Sequence, residues 1–337
     1  MPDRATARAF VVAEHARGGR GARFSVRHET QLPLDDSHVA VRVDWLSMDP
    51  FLHLRVNAAD RARALLPVGQ VMVGRGAGEV VASRHPGIAV GDHVVGELGW
   101  REVAVVPGDA VRVVRDKLVP LRHYLGPLGA TGLAAWFLVG AADIHPGQTV
   151  VITGAAGGVG SLATQLSVER GARVVAVCRG GVEVAHLRQL GVTYVVDTEA
   201  AGWRAVLSDA CVGGWQRALD GIGGEIFDAL VPLAAVRARL LVFGALGTYA
   251  GAVPDVGPRP LLAVALKRMR IEGFLLADHM AAGGGPAEAE RALGERIASG
   301  TLHVAETVVK RFERLPEAFA SLLSTSHAGK LLVQLND

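Results

Sequence analysis

The chain has 337 residues, which is enough for two domains with a hydrophobic core each. Half of the residues are hydrophobic, a fifth are charged, and the formal net charge of +2 comes from basic and acidic residues mixed along the chain, which disfavours a nucleic-acid partner. The N-terminus has no apolar run of signal-peptide length, the most hydrophobic later run is broken by Arg237 and Arg239, and the two cysteines suit a reducing compartment. We therefore expect a cytoplasmic protein that does not bind membranes.

Residues 1–124 have the pattern of a compact, mostly antiparallel β domain. Val39, Val41, Val43 and Trp45 recur at every second position, which is the period of a half-buried strand. Short apolar runs between turn residues predict further strands at 79–82, 90–95 and 102–106.

The middle of the chain, residues 125–300, has the pattern of a nucleotide-binding domain. It begins with a helical pattern at 125–139, and TVVITGAAGGVG at 149–160 then predicts a strand, a tight glycine turn and a helix. Gly154 suits a turn with positive φ, Gly157 and Gly158 lack the Cβ that would block a pyrophosphate, and Gly160 lets the helix approach the strand. The amides of the first helical turn would hold the phosphates.

Alternating strands and helices follow this turn. We predict strands at 173–177, 193–196, 217–220 and 239–244 and a helix at 182–190. Short right-handed crossovers turn this rhythm into the doubly wound parallel sheet of a Rossmann domain.

The last part, residues 301–337, returns to the style of the first domain. It predicts an extended segment at 301–312, a helix at 317–323 and a strand at 330–335. We expect this tail to rejoin the β domain, which is then discontinuous. Residues 281–286, AAGGGP, predict a flexible loop.

The glycine turn fits two families of nicotinamide enzymes. The short-chain dehydrogenases have T-G-x-x-x-G-x-G, as at 153–160, but they also need a tyrosine four residues before a lysine, and none of the three tyrosines meets that condition. Their motif also opens the chain, whereas this one lies in its middle.

The whole chain instead resembles the medium-chain dehydrogenase/reductase superfamily, with a GroES-like β domain followed by a Rossmann domain. It is most similar to the zinc-independent leukotriene B4 dehydrogenase/prostaglandin reductase group, which includes curcumin reductases and 2-alkenal reductases. The motifs that carry this resemblance are LSMDPFLHLR at 46–55, LGATGLAAWF at 128–137, the glycine turn, DGIGGE at 220–225, FGALGTY at 243–249 and GKLLV at 329–333.

The second strand of the nucleotide domain predicts the cofactor. It ends in Val177, Cys178 and Arg179, with no carboxylate for a ribose hydroxyl and with an arginine that could bind a 2′-phosphate, so NADPH is favoured. A solvated surface charge remains the alternative for Arg179. The resemblance implies cofactor contacts at Thr131, Gly154, Gly157, Gly158, Val159, Gly160, Arg179, Phe243, Gly244, Ala245, Leu246, Gly247, Thr248, Tyr249, Phe274, Leu275, Leu276 and His327.

Four positions depart from the family at its cofactor contacts. The resemblance places a phosphate-binding lysine at Glu183, a tyrosine at Thr198, an asparagine at Gly221 and another asparagine at His327. The first two changes weaken the prediction of tight NADP binding, for which Arg179 would have to compensate.

The residue pattern argues against a zinc site. Neither cysteine lies in the β domain, no two of the twelve histidines are two to five residues apart, and Ser47 and Met48 stand near the place of a catalytic cysteine. Without a metal, the simpler chemistry is hydride transfer to the β-carbon of an enone or enal.

The resemblance also suggests which residues would act on the substrate. Tyr249 or the cofactor ribose would donate a hydrogen bond to the carbonyl oxygen, and Tyr249 or water would supply the proton. Met48, Asp49, Phe51 and Arg55 would line the substrate mouth, where Phe51 replaces a family tyrosine and makes the pocket more apolar.

Other functions remain open at this point. The same fold serves NADPH:quinone oxidoreductases, and the altered contacts at Glu183, Thr198 and Gly221 also suit an NADP-binding protein with little catalytic activity. A thioester reductase of a biosynthetic pathway is the least favoured. The partner is expected to be a small apolar enone, enal or quinone, and a homodimer is an open alternative to a monomer.

Overall fold

The computed structural model describes residues 6–17, 20–30, 34–57, 65–115, 119–249, 259–280 and 285–336. Within them the strands form a two-stranded sheet, a six-stranded sheet and a seven-stranded sheet. The two larger sheets belong to different parts of the chain, as the sequence predicts.

The N-terminal part is built from β-strands and short 3₁₀ helices. Its strands are β1 (Thr6–Glu14), β2 (Arg23–Thr30), β3 (His38–Ser47), β4 (Arg75–Ser83), β5 (His93–Glu97), β6 (Val103–Pro107) and β7 (Val111–Val113). Its 3₁₀ helices are Pro50–Arg55, Gly108–Ala110 and Leu121–Leu125. The pairs of β3 with β4 and β6, of β4 with β5, and of β5 with β7 are antiparallel.

Alternation along β3 buries one face of this sheet, because Val39, Val41 and Val43 are fully buried in the core of the domain. The strand predicted at 102–106 is confirmed within a residue at both ends of β6, whereas the strand predicted at 79–82 covers only the second half of β4, which begins four residues earlier. The strand predicted at 90–95 is wrong for its first three residues. Gly91 has a φ of +90° and forms a turn with Asp92, so the strand begins only at residue 93.

The middle part alternates helices with the strands of the six-stranded sheet. In chain order the elements are α1 (Ala130–Ala141), β8 (Thr149–Thr153), α2 (Gly158–Glu169), β9 (Arg173–Cys178), α3 (Gly181–Gln189), β10 (Tyr194–Asp197), α4 (Trp203–Ala210), β11 (Trp215–Asp220), α5 (Gly224–Leu230), a 3₁₀ helix Val231–Leu233, β12 (Ala234–Val242), α6 (Leu246–Tyr249), α7 (Leu261–Lys267), β13 (Arg270–Gly273), α8 (Leu276–Met280) and α9 (Gly285–Ala298).

The six strands are parallel and lie in the order β10-β9-β8-β11-β12-β13. Counted from β8, this is the order 3-2-1-4-5-6 of a doubly wound Rossmann sheet. Ligands bind such sheets at the carboxyl ends of the strands, next to the point where the order reverses, here between β8 and β11.

The predicted bounds of two elements in this part are wrong. The helix predicted at 125–139 begins only at Ala130, because the chain turns tightly before it and a Cβ at Gly129 would lie 2.3 Å from the Tyr124 carbonyl oxygen. The strand predicted at 239–244 begins earlier, at Ala234, and ends at Val242, because the chain then turns into α6, whose first amides donate to the carbonyls of Gly221 and Ile222. The first four residues of the loop predicted at 281–286 lie outside the described part of the chain, and its last two begin α9.

The tail rejoins the seven-stranded sheet. It contains β14 (Glu306–Lys310), a 3₁₀ helix Phe312–Arg314, α10 (Leu315–Ser324) and β15 (Lys330–Gln334). β15 lies between β14, its parallel neighbour, and β3, its antiparallel neighbour. The extended segment predicted at 301–312 is therefore a strand only at 306–310. The domain boundaries at 124 and 300 stay predictions.

The glycine at the start of β15 joins the two large sheets. The Gly329 amide donates to the Ala156 carbonyl at 2.7 Å, and Gly329 forms an isolated bridge with Gly157 in the glycine turn. Gly329 has a φ of +72°, and a Cβ there would lie 1.9 Å from the Ala305 carbonyl oxygen, so only glycine fits.

Candidate active site

The glycine turn between β8 and α2 has the geometry that the sequence predicts. Gly154 has a φ of +60°, and a Cβ at Gly160 would lie 2.1 Å from the Gly154 carbonyl oxygen, so the helix lies against the turn. A Cβ at Gly157 would meet only that same oxygen, at 3.3 Å, and its outer side is open. At Gly158 a Cβ would lie 2.9 Å from the Thr131 methyl, so packing against α1 gives a further reason for glycine there.

This open turn fits a diphosphate. The amides of Val159 and Gly160 lie in the first turn of α2, where no acceptor exists within the helix, and at the positive end of its dipole. Together with the space outside Gly157, these donors form the kind of cradle in which dinucleotide phosphates bind.

A buried carboxylate lies beside the glycine turn and links the ends of two strands. Asp220, at the end of β11, is completely buried and accepts hydrogen bonds from the Thr153 hydroxyl at 2.5 Å and from the amides of Ile222 and Gly223 at 3.2 and 3.1 Å. Burial raises the pKa of Asp220, although these donors oppose the shift. The ends of β8 and β11 are thereby held together beside the glycine turn.

The segment 243–249 follows β12 and lies on the next strand end. The amides of Leu246 and Gly247 donate to the carbonyls of Gly221 and Ile222 at 3.0 and 2.9 Å. The Tyr249 hydroxyl lies 3.5 Å from the Ala245 amide, and a Cβ at Gly244 would be 3.6 Å from the same hydroxyl. The Tyr249 side chain therefore folds back over the start of the segment. Within the same segment, the Thr248 hydroxyl donates a hydrogen bond to the Ala245 carbonyl at 2.8 Å.

One hydrogen bond joins this segment to the β domain. The Asn57 side-chain amide donates to the Tyr249 carbonyl at 3.0 Å, and Asn57 is 5% exposed. Asn57 follows the 3₁₀ helix Pro50–Arg55, which is the predicted substrate loop. The loop and the predicted catalytic tyrosine are thus brought together.

The segment 274–276 follows β13 and lies at the same edge of the sheet. The Phe274 amide donates to the Val242 carbonyl at 2.8 Å, its ring stacks on His279, Leu275 is 56% exposed, and Leu276 begins α8.

The predicted substrate-lining role of Met48 is wrong for its side chain. Met48 is 1% exposed and lies in the hydrophobic core of the β domain with Leu46, because a register shift between Val43 and Trp45 turns the even-numbered positions toward that core. Phe51, in contrast, is 41% exposed. The Arg55 Nε is buried without a hydrogen-bond partner among the described residues.

Asp49 makes an ion pair with the terminal strand. The Lys330 ammonium donates to the Asp49 carboxylate at 2.5 Å and to the Met48 carbonyl at 2.9 Å, and the Ser47 hydroxyl donates to the same carboxylate. Burial opposes the charged carboxylate, but Lys330 and Ser47 outweigh it and lower the pKa of Asp49. Asp49 therefore faces Lys330 at the base of the loop.

The predicted adenosine end lies beyond β9. The Arg179 side chain is 39% exposed, and its guanidinium donates to the Leu323 carbonyl at 3.3 Å and lies 4.0 Å from Glu199. The His327 ring contacts Ser321 of α10, and burial lowers its pKa. Thr198 hydrogen bonds to the Cys178 carbonyl through its hydroxyl at 3.1 Å and its amide at 2.9 Å, so it points at the strand end.

The structure brings most of the predicted site residues to one edge of the six-stranded sheet. Asn57, which bonds the segment 243–249, and Lys330, which bonds Asp49, were not predicted. The lysine next to three apolar residues at the start of the strand KLLVQ was a signal for Lys330, whereas Asn57 carried no pattern.

Metal-binding clusters and membrane-spanning helices are both absent from the part of the chain that the structure describes. It contains no group of three or more histidine, cysteine, aspartate or glutamate residues placed to hold a metal ion. Among its helices, none is both long enough and apolar enough to cross a bilayer.

Comparison with known proteins places the chain in a family. Residues 8–114 match the family described as the N-terminal domain of oxidoreductase, and residues 158–292 match the zinc-binding dehydrogenase family. The chain is 32% identical to the putative NADP-dependent oxidoreductase YfmJ of Bacillus subtilis and 31% identical to the NADPH-dependent curcumin reductase of Escherichia coli, covering 89% of this chain and 88% of each relative.

A solved structure agrees with these matches. CurA from Vibrio vulnificus in complex with NADPH superposes with a TM-score of 0.88 at 27% identity, over 98% of this chain and 99% of that one. The chain belongs to the medium-chain dehydrogenase/reductase superfamily, in the group of NADP-dependent oxidoreductases that contains the curcumin and prostaglandin reductases.

Proposed function

We propose that this chain catalyses the NADPH-dependent reduction of the carbon–carbon double bond of α,β-unsaturated aldehydes and ketones, without a bound metal ion. The observation that carries the proposal is the Asn57–Tyr249 hydrogen bond, which brings the 50–55 loop onto the segment 243–249 at the carboxyl edge of the Rossmann sheet. The similarity to an NADPH-dependent curcumin reductase supports the substrate class.

The chain's own residues would hold the cofactor along this edge. The amides of Val159 and Gly160 would bind the pyrophosphate, and the segments 243–249 and 274–276 would border the nicotinamide. Thr131 would pack against Gly158 of the glycine turn. Arg179 and His327 would lie at the adenosine end of the cofactor. NADPH, when bound, supplies the hydride for the β-carbon.

The substrate would enter between the exposed ring of Phe51 and Tyr249. The Tyr249 hydroxyl would donate a hydrogen bond to the carbonyl oxygen, where negative charge develops as the β-carbon is reduced. Asp49 would act indirectly, because its carboxylate is engaged by Lys330 and fixes the base of the loop. Arg55 would attract acidic groups of the substrate.

The test is a panel of NADPH oxidation assays with an enal, an enone and a quinone, with the products identified by mass spectrometry. We expect the saturated carbonyl compound from the first two, with deuterium from the 4-position of labelled NADPH on the β-carbon. Dialysis against a chelator should leave the rate unchanged.

Other outcomes would overturn the proposal. Turnover of the quinone alone would make the chain a quinone oxidoreductase, and nucleotide binding without any turnover would leave an NADP-binding protein. The cytoplasmic location and a homodimer stay predictions.

A further inference from the structure

The loop after β9 lies where the nucleotide site of a Rossmann domain contacts the adenosine ribose. β9 is the second strand in Rossmann order, and the group that follows the second strand meets the ribose 2′ position in dinucleotide sites. Here the strand ends at Cys178, Arg179 and Gly180 form the loop, and α3 begins at Gly181.

A carboxylate of the chain already occupies the donors of this loop. Glu183, in the first turn of α3, accepts hydrogen bonds from the Arg179 amide at 2.9 Å and from the His327 amide at 3.4 Å. Burial raises the pKa of Glu183, and these amides, with the Ser326 hydroxyl, oppose the shift. Two main-chain donors that an anionic ligand could use are therefore directed at Glu183.

The charges around the loop are mostly negative. The Gly180 amide donates to the Asp197 carboxylate at 2.8 Å, and a Cβ at Gly180 would lie 2.9 Å from a Glu199 oxygen. Arg179 is the cation that faces these groups, 4.0 Å from Glu199, and the His327 ring has its pKa lowered by burial. A 2′-phosphate would add about two further negative charges to this loop.

We propose that Glu183 sets the cofactor preference of this chain: its carboxylate weakens the binding of a 2′-phosphate and accepts a hydrogen bond from a 2′-hydroxyl, so that NADH is used nearly as well as NADPH. The inference rests on the nucleotide site of the proposed function. It does not depend on the substrate.

Two fragments that differ only in the 2′-phosphate test the inference by binding alone. We would titrate the full chain with 2′,5′-ADP and with 5′-AMP in a calorimeter and compare their dissociation constants. We expect the two constants of the unsubstituted chain to lie within about tenfold of each other. A preference for 2′,5′-ADP of about a hundredfold or more would overturn the inference.

The central variant is Glu183→Gln, which keeps the side-chain length and one oxygen acceptor, enough for the shorter of the two hydrogen bonds, from the Arg179 amide. We expect it to tighten 2′,5′-ADP about tenfold and to leave 5′-AMP within about twofold, because the negative charge at the 2′ position is removed. Glu183→Lys should tighten 2′,5′-ADP further. An equal effect of Glu183→Gln on both fragments, or no effect on either, would overturn the inference.

Two further variants distinguish an effect of charge at this loop from an effect of the net charge of the protein. Arg179→Ala should weaken 2′,5′-ADP and spare 5′-AMP. Asp209→Asn removes an exposed carboxylate in the last turn of α4, away from the loop, and should change neither constant. A tightening of 2′,5′-ADP by Asp209→Asn equal to that by Glu183→Gln would reduce the effect to net charge and overturn the role of Glu183.

Activity supplies a second readout. The ratio of kcat/KM for NADPH to that for NADH should rise in Glu183→Gln by the same factor as the ratio of fragment affinities. If the fragments bind as expected but no enone is turned over, only the proposed function is wrong. If the unsubstituted chain binds neither fragment, the proposed function and the role of Glu183 are both wrong.

Discussion

The ring of Phe243 lies against the main chain of Gly221, so closely that a Cβ on the glycine would be 2.5 Å from the Cζ of the ring. Gly221 is the position at which the family resemblance places an asparagine. Both residues follow neighbouring strands of the Rossmann sheet, β11 and β12, at the edge where the cofactor is expected. The phenyl ring therefore fills the space that a side chain at position 221 would take.

This contact predicts a coupled pair. Gly221→Ala should destabilise the protein by about 1–3 kcal/mol, because the added methyl overlaps the half-buried ring and forces it to shift. Phe243→Ala should relieve that overlap, so the double variant should be more stable than the sum of the single effects by about 1 kcal/mol or more. Urea denaturation of the four proteins measures this coupling.

Gly140→Ala is the matched control for this cycle. A Cβ at Gly140 would meet nothing within 4 Å, and the residue lies inside α1, so alanine should be neutral or stabilising by up to about 1 kcal/mol. If the effects of Gly221→Ala and Phe243→Ala on the free energy of unfolding are strictly additive, the added methyl does not clash with the ring.

The Asp49–Lys330 ion pair predicts a second stability effect. Lys330→Met keeps the apolar stem but leaves the Asp49 carboxylate and the Met48 carbonyl without their ammonium donor. We expect a loss of about 2 kcal/mol, below the value for a fully buried pair because the Asp49 side chain is 31% exposed. Lys310→Met, on the exposed face of β14 in the same sheet, should cost less than about 0.5 kcal/mol.

The same pair predicts a pH dependence. Because the pKa of Asp49 is lowered in the folded protein, its contribution is present above the unfolded pKa of about 4 and is lost as the pH falls through the folded value. The free energy of unfolding, measured from about pH 6 down to pH 3, should fall less steeply in Lys330→Met. Equal slopes in the two proteins would argue against the pair.

His53 predicts a pH effect in a different window. Its ring stacks on Phe319 with centroids 3.8 Å apart, and burial lowers its pKa to about 4. The unfolded chain binds a proton at about pH 6.5, so stability should be lost as the pH falls from about 6.5 to 4, by up to about 3 kcal/mol from this residue.

His53→Phe keeps a stacking ring that cannot be protonated. The fall in unfolding free energy between about pH 6.5 and 4 should be smaller in this variant, and the rest of the slope belongs to other buried histidines such as His123 and His186. An unchanged slope would mean that His53 is already accessible to protons.

Tyr249→Phe tests the proposed hydrogen-bond donor. We expect kcat for an enone to fall about tenfold to a hundredfold, because a donor to the developing oxyanion is lost, with little change in the KM for NADPH. The Asn57 hydrogen bond to the main chain at position 249 should persist, so the loop stays in place. A kcat within about twofold of the unsubstituted enzyme would rule out Tyr249 as the required donor and would assign the hydrogen bond to the cofactor ribose and the proton to water.

The fold was predictable where one element carried a complete local signal. The glycine turn was such a case, since the order strand, glycine, helix allows few alternatives, and Gly154 and Gly160 have the predicted geometry. The predicted boundaries were wrong where a turn was set by a distant contact, as after β12, where the carbonyls of Gly221 and Ile222 accept from the amides of Leu246 and Gly247. The predicted exposure of Met48 was wrong for a related reason, because a register shift in β3 against β4 reverses the alternation and buries Met48.

The long-range contacts of the site could not be predicted from local patterns. Asn57 and Tyr249 are 192 residues apart, and Lys330 and Asp49 are 281 apart. Such contacts depend on how distant parts of the chain pack together, which no period of apolar residues encodes.

The place of β15 between β3 and β14 has a consequence for synthesis on the ribosome. The Rossmann strands follow one another along the chain, so that half has all its partners once residue 300 has emerged. In the seven-stranded sheet, in contrast, β6 covers only residues 38–42 on one side of β3, and residues 45–47 on that side stay unpaired until residues 330–334 are released. The first strands must therefore wait without aggregating while about two hundred later residues are translated.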